Sequence, residues 1–177
     1  VTVPPGEIEP VYATAMGKMI LSQMDYKKSL MYAESVPLQK YTEKTIQTPK
    51  ELLEEIEINK KGFAVDNEEF VDGLTCVACP IRDFTGQTVG AMSVSLLTVR
   101  YNKEKHKTIL AALSEAVQGA FTIWDIAEST KKGPLKGNKA QCRDLLLRKF
   151  LHAQTGGEDD PASTAGILLS GENGRGD

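Results

Sequence analysis

Two almost continuously apolar stretches in the middle of the chain predict the centre of a β-sheet. They cover residues 74–82 and 88–97, and residues 63–66 predict a shorter strand before them. Between the two stretches lies a turn that begins with Asp83 and ends with Gly86, which predicts an antiparallel hairpin. Because both stretches are continuously apolar rather than alternating, we expect both strands to be covered on both faces.

Capping residues predict two helices before this hairpin. Thr14 is a good N-cap for a helix that runs to Met24, since its hydroxyl can accept a hydrogen bond from the first free N–H groups. Asp25 predicts a second, short helix over residues 26–33 in the same way. Residues 1–3 are typical of the end of a strand, because two prolines and a glycine follow them.

A third helix has the clearest start signal. Thr48, Pro49 and Glu51 form a capping box with proline at the first helical position, and Gly62 predicts the end of the helix. A long helix should follow the hairpin, from Asn102 to about residue 128. Its apolar residues are spaced three or four apart: Ile109, Leu113, Ala116, Val117, Ala120, Phe121 and Trp124.

Composition changes near Gly133 and predicts a boundary there. Eight of the 15 glycines lie in residues 133–177, whereas the net charge of −3 is carried by residues 1–132. We therefore predict a domain over residues 1–132 and a Gly-rich tail of unknown role over residues 133–177. The tail has one amphipathic stretch, residues 139–150, and should otherwise be largely disordered.

Overall composition narrows the class of protein. With 177 residues, 41% hydrophobic and 25% charged, the chain has an ordinary globular composition. No apolar run approaches the roughly 20 residues of a membrane helix, and the acidic net charge gives no basic field for nucleic acid. Three cysteines fit a reducing cytoplasm. The chain lacks both a signal peptide and a first Met, so we interpret it as part of a longer protein.

Polar residues inside the two central strands are the candidates for a binding, redox or metal site. Ser93 and Ser95 share one face of their strand, where they either bond to neighbouring backbone or line a polar pocket. Cys76 and Cys79 have the spacing of a redox pair or of half a metal site. On a strand, however, they point to opposite faces, so we expect two inert buried thiols and no metal. Pro80 predicts a bulge or a break in strand pairing.

Two further segments are open to more than one interpretation. Asp66 and the acidic residues that follow it form either a solvated turn or a turn with one inward carboxylate. The N–H groups of Ala15 and Met16 open a helix and offer an anion site, although ordinary close packing is the alternative. Lys18 should be solvated. The sequence has no Gly-rich phosphate loop and no catalytic triad pattern, so we predict no catalytic residue.

Four blocks together resemble a known family. They are residues 13–18, 61–69, 73–81 and 91–95. In order and spacing these blocks resemble the C-terminal effector-binding domain of IclR-type bacterial transcriptional regulators, over roughly residues 1–128. The resemblance implies an α/β (α+β) fold: a GAF-like antiparallel sheet flanked by helices, with the N-terminal part of the family domain missing. It also implies a winged helix-turn-helix, not in this chain, that binds operator DNA.

The resemblance also implies a binding site and partners. A small organic acid would bind the main-chain N–H groups of the helix opening and a set of pocket side chains, and would control operator binding through the geometry of a homodimer or homotetramer. No cofactor is implied. The implied binding positions are Ala15, Met16, Asp66, Leu74, Cys76, Ser93 and Ser95.

Two other functions compete with this one. GAF-like methionine sulfoxide reductases use pocket cysteines, so a redox enzyme is one alternative, but it needs two sulfurs that can bond. The predicted opposite orientation of Cys76 and Cys79 disfavours it. A dimerisation module without a ligand is the other alternative, and convergence of Ser, Asp and Cys on one pocket would count against it.

Overall fold

The computed structural model describes residues 9–83, 85–129 and 164–169, and side chains up to residue 118. The helices in this part of the chain are α1 (Ala15–Gln23), α2 (Tyr26–Ser35), α3 (Pro49–Asn59) and α4 (Lys103–Ser129). The strands are β1 (Ala64–Asn67), β2 (Leu74–Arg82), β3 (Thr88–Leu97) and β4 (Thr164–Leu169). This mixed architecture confirms the predicted fold class of an antiparallel sheet flanked by helices.

The first three helices begin where the sequence predicts. Thr14 caps α1 by accepting a hydrogen bond from the N–H of Gly17, and Asp25 caps α2. Thr48 and Glu51 form both halves of the capping box of α3. These caps satisfy N–H groups that have no partner inside the helix, which is why they fix the start of each helix.

The sheet has the order β1-β2-β3-β4, and each neighbouring pair is antiparallel. β2 and β3 have the predicted bounds, and β1 begins and ends one residue later than predicted. Pro80 is paired with Ala91, so the pairing is not broken at the proline itself. The register shift lies immediately after it, between Ile81 and Arg82.

Helices cover the two faces of the sheet unequally. Long apolar side chains of β2 and β3 pack against Ile109 and Leu113 of α4. On the opposite face α1 packs with Ala15 and Met19 onto small residues of three strands. These are Ala64, Ala78 and Ala91. Small side chains let α1 lie close to the sheet, so its N-terminus comes near the middle of this face.

The prediction of an unfolded tail is wrong for residues 164–169. They form β4, which pairs with the outer edge of β3 from Gly90 to Ser95. The prediction rested on the Gly-rich composition of the tail and ignored backbone pairing. An edge strand offers a row of unpaired N–H and C=O groups, and these bind the segment. Residues 1–3 and 139–150 lie outside the described part of the chain.

A glycine holds the segment before α1 against this helix. A Cβ atom at Gly17 would collide with the backbone carbonyl of Val11 and would lie 2.6 Å from its Cα. Only a residue without a side chain therefore allows residues 9–13 to fold back over the first turn of α1. Among the described helices, none is long and apolar enough to cross a membrane.

Candidate functional site

The face of the sheet under α1 carries the predicted polar residues. Strand register aligns Asp66 of β1 with Cys76 of β2, and Cys76 with Ser95 of β3. Side chains two residues apart share a face, so Ser93 and Leu74 lie on this face as well. The structure thus brings together every side chain that the resemblance placed in a pocket. The sequence alone could not establish this, because a one-residue slip would have inverted one strand.

We call the aligned residues Asp66, Cys76 and Ser95 the polar row. The Sγ atom of Cys76 lies 3.0 Å from the Oγ atom of Ser95. Asp66 is buried, with 3% of its surface exposed, whereas Cys76 and Ser95 are half-buried. The row is therefore closed at its Asp66 end and partly accessible at its Ser95 end. Leu74 and Leu97, paired across β2 and β3, form an apolar border on one side of the row.

The first turn of α1 reaches the same face. Ala15 is buried there, and Met16 packs half-buried in a cluster that also includes Cys76. The N–H groups of Ala15 and Met16 belong to the first turn, so no helix carbonyl is available to accept from them. Partial positive charge at a helix N-terminus favours anions. The helix opening and the polar row therefore lie on one surface, as an anion site with polar side chains beside it requires.

Asp66 has an unusual environment for a carboxyl group. Its Oδ1 atom accepts a hydrogen bond of 2.7 Å from the N–H of Glu69. Burial raises the pKa of the Asp66 carboxyl from 3.8 to about 7, and the charge of Glu69 contributes to this rise. The positive charge of Lys18 opposes it. Near neutral pH both protonation states of Asp66 are therefore populated, so the group can act as a donor or an acceptor.

The expectation that Lys18 is solvated is wrong. Lys18 is fully buried, and its Nζ atom donates to the carbonyl of Val65 at 2.7 Å and to Glu69 at 2.6 Å. A third bond of 3.2 Å reaches Glu55 of α3. Buried charges are stable only when paired, and this cluster supplies the partners. A sequence signal existed, because Lys18 is three residues from Ala15 on the buried stripe of α1.

The acidic turn after β1 points two carboxylates inward rather than one. Glu69 is buried like Asp66, whereas Asn67 is exposed. Glu68 adopts a left-handed conformation with a φ angle of 62°, and its carboxylate pairs with Lys44. Neither of the two interpretations of this turn from the sequence anticipated a second inward carboxylate, because the left-handed residue breaks simple alternation.

Threonine hydroxyls hold this turn in place. Thr42 donates to the carbonyl of Glu68 at 2.7 Å, and Thr45 donates to the carbonyl of Glu69 at 2.6 Å. These bonds satisfy carbonyl groups that the sheet does not pair. The loop before α3 thereby fixes the turn that carries Glu69, and through it the position of the Asp66 carboxyl.

The two cysteines lie on opposite faces, as predicted. Cys76 belongs to the polar row, and Cys79 packs in the apolar cluster under α4. Burial raises the pKa of the Cys76 thiol to about 12 and that of the Cys79 thiol to about 11. Since the thiolate is the reactive form, both groups are unreactive near neutral pH. Neither sulfur can bond to the other without moving a strand.

A concavity of about 360 Å³ lies on the other, α4 side of the sheet. Its lining includes Cys79, Arg82, Val117 and Gln118. Arg82 is exposed and already bonded to Gln23. This groove presents mainly apolar surface, and its polar side chains, Arg82, Ser114 and Gln118, are exposed, so it is a poorer match to a small polar ligand than the polar row.

Comparison with known proteins places the chain in a family. The family model for the C-terminal part of the bacterial transcriptional regulator IclR matches residues 2–120. The chain belongs to the IclR family. As a member of that family it is 32% identical over 114 residues to the HTH-type transcriptional regulator KdgR of Escherichia coli strain K12. That match covers 64% of this chain and 43% of KdgR.

Solved structures agree with the fold. The C-terminal domain of Escherichia coli KdgR has a TM-score of 0.60 at 32% identity, over 64% of this chain and 70% of that one. IclR of Thermotoga maritima has a TM-score of 0.61 at 36% identity, over 65% and 47%. The PobR inducer-binding domain from Acinetobacter, in complex with 3-hydroxybenzoic acid, shares the fold at 24% identity, with a TM-score of 0.60 over 63% and 65%.

These matches concern part of a regulator. The chain spans less than half the length of KdgR and of the repressor YiaJ, to which it is 34% identical over 68% of this chain. Both relatives are named as transcriptional regulators. The family and fold are therefore those of a regulator's C-terminal domain.

Proposed function

We propose that this chain is the effector-sensing domain of a DNA-binding transcriptional regulator and that it binds a small organic acid. The carboxylate of the acid accepts hydrogen bonds from the N–H groups of Ala15 and Met16. Its remaining polar groups contact Asp66, Cys76, Ser93 and Ser95, with Leu74 beside them. The acid then alters operator binding by changing the geometry of a homodimer or homotetramer.

The main observation in support of this proposal is that the polar row and the N-terminus of α1 lie on the same face of the sheet. Asp66, Cys76 and Ser95 lie opposite one another across three strands, on the face that α1 covers. Polar side chains in the middle of a buried sheet face cost stability unless they have partners. A polar ligand would supply partners that the apolar residues around the row do not.

The hydrogen-bond partner and the exposure of Ser95 favour a role in ligand binding over a purely structural role. Its hydroxyl contacts the thiol of Cys76 at 3.0 Å, and a thiol is only a weak donor and acceptor. Ser95 is half-buried, so a ligand could reach its hydroxyl and provide a stronger partner than the thiol. PobR supports the same idea at the level of the fold, because that domain was crystallised with a hydroxy acid.

The family and the net charge of the chain indicate how the regulator contacts operator DNA. With a net charge of −3 the chain lacks the basic surface that holds DNA, so operator contacts belong to a separate N-terminal domain of the longer protein. We place the regulator in the cytoplasm, where operators are. We expect the chain alone to give no sequence-specific shift of operator DNA in a gel.

A redox enzyme is the less favoured function. It would need two reactive sulfurs on one face, whereas Cys76 and Cys79 lie on opposite faces and both thiols have raised pKa values. A non-enzymatic role agrees better with relatives that are all named as regulators.

Calorimetric titration with a panel of small organic acids tests the proposal. The panel contains hydroxy acids, keto acids and aromatic acids, each with the matching amide or alcohol as a control that lacks the carboxylate. We expect one class of acid to bind and its amide to bind far more weakly, because a helix N-terminus favours an anion. Equal binding of acid and amide, or no binding by any acid, would contradict the proposed site.

A further inference from the structure

We propose that binding of an organic anion at the N-terminus of α1 is coupled to the uptake of one proton from solution. The carboxyl group of Asp66 holds this proton. The inference rests on the proposed function and adds a regulatory property to the same site. A sensor of this kind responds to the acid and to pH together, and it binds the acid more tightly at lower pH.

Position is the first argument. Asp66 is 3% exposed and is the buried end of the polar row. Cys76, directly opposite it, packs in the same cluster as Met16 of the first turn of α1. An anion on the Met16 N–H group would therefore enter the neighbourhood of the Asp66 carboxyl. Asp66 and Ala15 are buried, so the repulsion between the two charges would be screened less than at the protein surface.

Charge balance is the second argument. Asp66 and Glu69 are both buried carboxyl groups, but Lys18 is fully buried and bonds to Glu69 and Glu55 instead of Asp66. The one buried cation of this cluster is thus already shared between two glutamates. Asp66 accepts hydrogen bonds from the backbone N–H groups of Glu69 and Phe70, but no cation among the described residues bonds to it directly. Ionised Asp66 therefore lacks a paired positive charge of its own.

The other groups around Asp66 add to the same balance. The titratable groups that act on it directly come from the turn after β1, from β2 and from α1. They are Glu69, Cys76 and Lys18. Glu55 of α3 acts on Glu69, and Glu9 in the segment before α1 acts on Cys76. Of the three direct neighbours, Glu69 is negative when ionised, Cys76 is a neutral thiol, and the positive charge of Lys18 is shared with Glu69 and Glu55. An additional anion therefore makes ionised Asp66 still less favourable.

The direction of the pH effect follows from linkage. Burial raises the pKa of the free Asp66 carboxyl to about 7, and a bound anion raises it further. Below the pKa of the free protein Asp66 already holds its proton, so affinity for the anion is independent of pH. Above that pKa, binding must take up a proton, and the dissociation constant should rise by up to about tenfold per pH unit.

Calorimetry with lactate and with 3-hydroxybenzoate tests this on the full chain, between about pH 6 and about pH 8. Both carboxylates stay fully ionised in this range, so any pH dependence belongs to the protein. Each titration is repeated in two buffers that differ in ionisation enthalpy, which reports the number of protons taken up. We expect uptake that approaches one proton at the upper end of the range and falls towards zero at the lower end.

Two variants assign the proton. Asp66→Asn keeps the shape and the acceptor oxygen but cannot titrate, so it should remove the proton uptake and the pH slope together. Glu68→Gln makes the same charge change in the same turn, but this carboxylate faces outward towards Lys44, so the slope should persist. Circular dichroism of both variants verifies that they are folded.

Three outcomes would overturn the inference. If an acid binds with the same affinity across the pH range, the inference of proton uptake is wrong, but the proposed function still holds. Persistent proton uptake in Asp66→Asn contradicts the assignment to Asp66. If neither acid binds at any pH, the proposed function fails for these acids and the inference fails with it.

Discussion

The two faces of strands β1, β2 and β3 differ in the kind of side chain that they carry. On the α4 face, alternate residues of β2 and β3 are long and apolar, including Val77, Ile81, Met92 and Leu96. On the α1 face, the central residues are alanines or carry a carboxyl, thiol or hydroxyl group, and Leu74, Leu97 and Pro80 lie towards the strand ends. Large apolar side chains therefore cover the α4 face, whereas the α1 face combines small apolar contacts with polar side chains.

Cys76 and Cys79 show the same difference within one strand. Cys79 is 4% exposed in an apolar cluster and behaves as a small hydrophobic residue. Cys76 contacts a hydroxyl and lies opposite a carboxyl group. One residue type thus serves as core on one face and as part of a candidate site on the other, so side-chain chemistry alone does not assign function.

The largest effect should come from the buried cation that supports the polar face. Lys18→Met leaves Glu69 buried without its partner, and such a loss costs about 3–5 kcal/mol. Urea unfolding monitored by circular dichroism measures the change. Lys28→Met is the control, because the exposed pair of Lys28 with Asp25 should contribute little. Equal stability of the two variants would show that the Lys18 cluster is dispensable.

Neighbouring residues on β3 should respond in opposite ways. Leu96 is 1% exposed on the α4 face, so Leu96→Ala should lower the free energy of unfolding by about 2–5 kcal/mol. Ser95→Ala, one position earlier on the other face, should hardly change it. The same urea experiment compares both variants. A greater loss of stability in Ser95→Ala would remove the distinction between the faces.

Asp66 should make stability depend on pH. Because its pKa is raised from 3.8 in the unfolded chain to about 7, the folded protein holds this proton more tightly. The stabilising contribution is complete below the unfolded value and is lost as pH rises through about 7. Each pKa unit corresponds to about 1.4 kcal/mol. Between these two pH values, the free energy of unfolding of Asp66→Asn should therefore rise relative to that of wild type by at most about 4 kcal/mol.

Unfolding midpoints at several pH values measure this gain. The difference between Asp66→Asn and wild type should widen from acidic to neutral pH and then stay constant. A difference that does not change with pH would mean that Asp66 titrates normally, which would also remove a premise of proton-linked binding.

The smallest energetic effect concerns the ligand. Ser93→Ala combined with Ser95→Ala should leave the melting temperature nearly unchanged and weaken the binding of an organic acid. Each lost hydrogen bond contributes about 0.5–1.5 kcal/mol, or up to about 3 kcal/mol with a charged partner. Ser114→Ala, an exposed position on α4, is the matched control and should bind as wild type does. Unchanged affinity in the double variant would refute the serine assignment.

Local rules predict much of the scaffold from the sequence. Thr14, Asp25 and Thr48 locate three helix starts because capping is a short-range interaction. The opposite orientation of Cys76 and Cys79 also follows from strand geometry alone. The alignment of Asp66 with Cys76 and Ser95 does not, because register depends on pairing between distant segments.

The same limit explains what the sequence analysis missed. Burial of Lys18 requires partners from α3 and from the turn after β1, which lie 37 and 51 residues away. The pairing of β4 with β3 joins segments separated by the whole of α4. Both features arise from tertiary contacts between distant segments. The helical spacing of Lys18 from Ala15 indicates that Lys18 is buried, but it does not identify the partners of Lys18.

Mapping of amide chemical shifts with the organic acid that binds most tightly is the most direct test of the account. Binding should shift the amide signals of Ala15 and Met16 and of the polar row, and should leave Met92 and Val117 on the α4 side unchanged. Shifts confined to the groove beside Val117, or the absence of shifts at the helix opening, would contradict the claim that the α1 face is the sensing face.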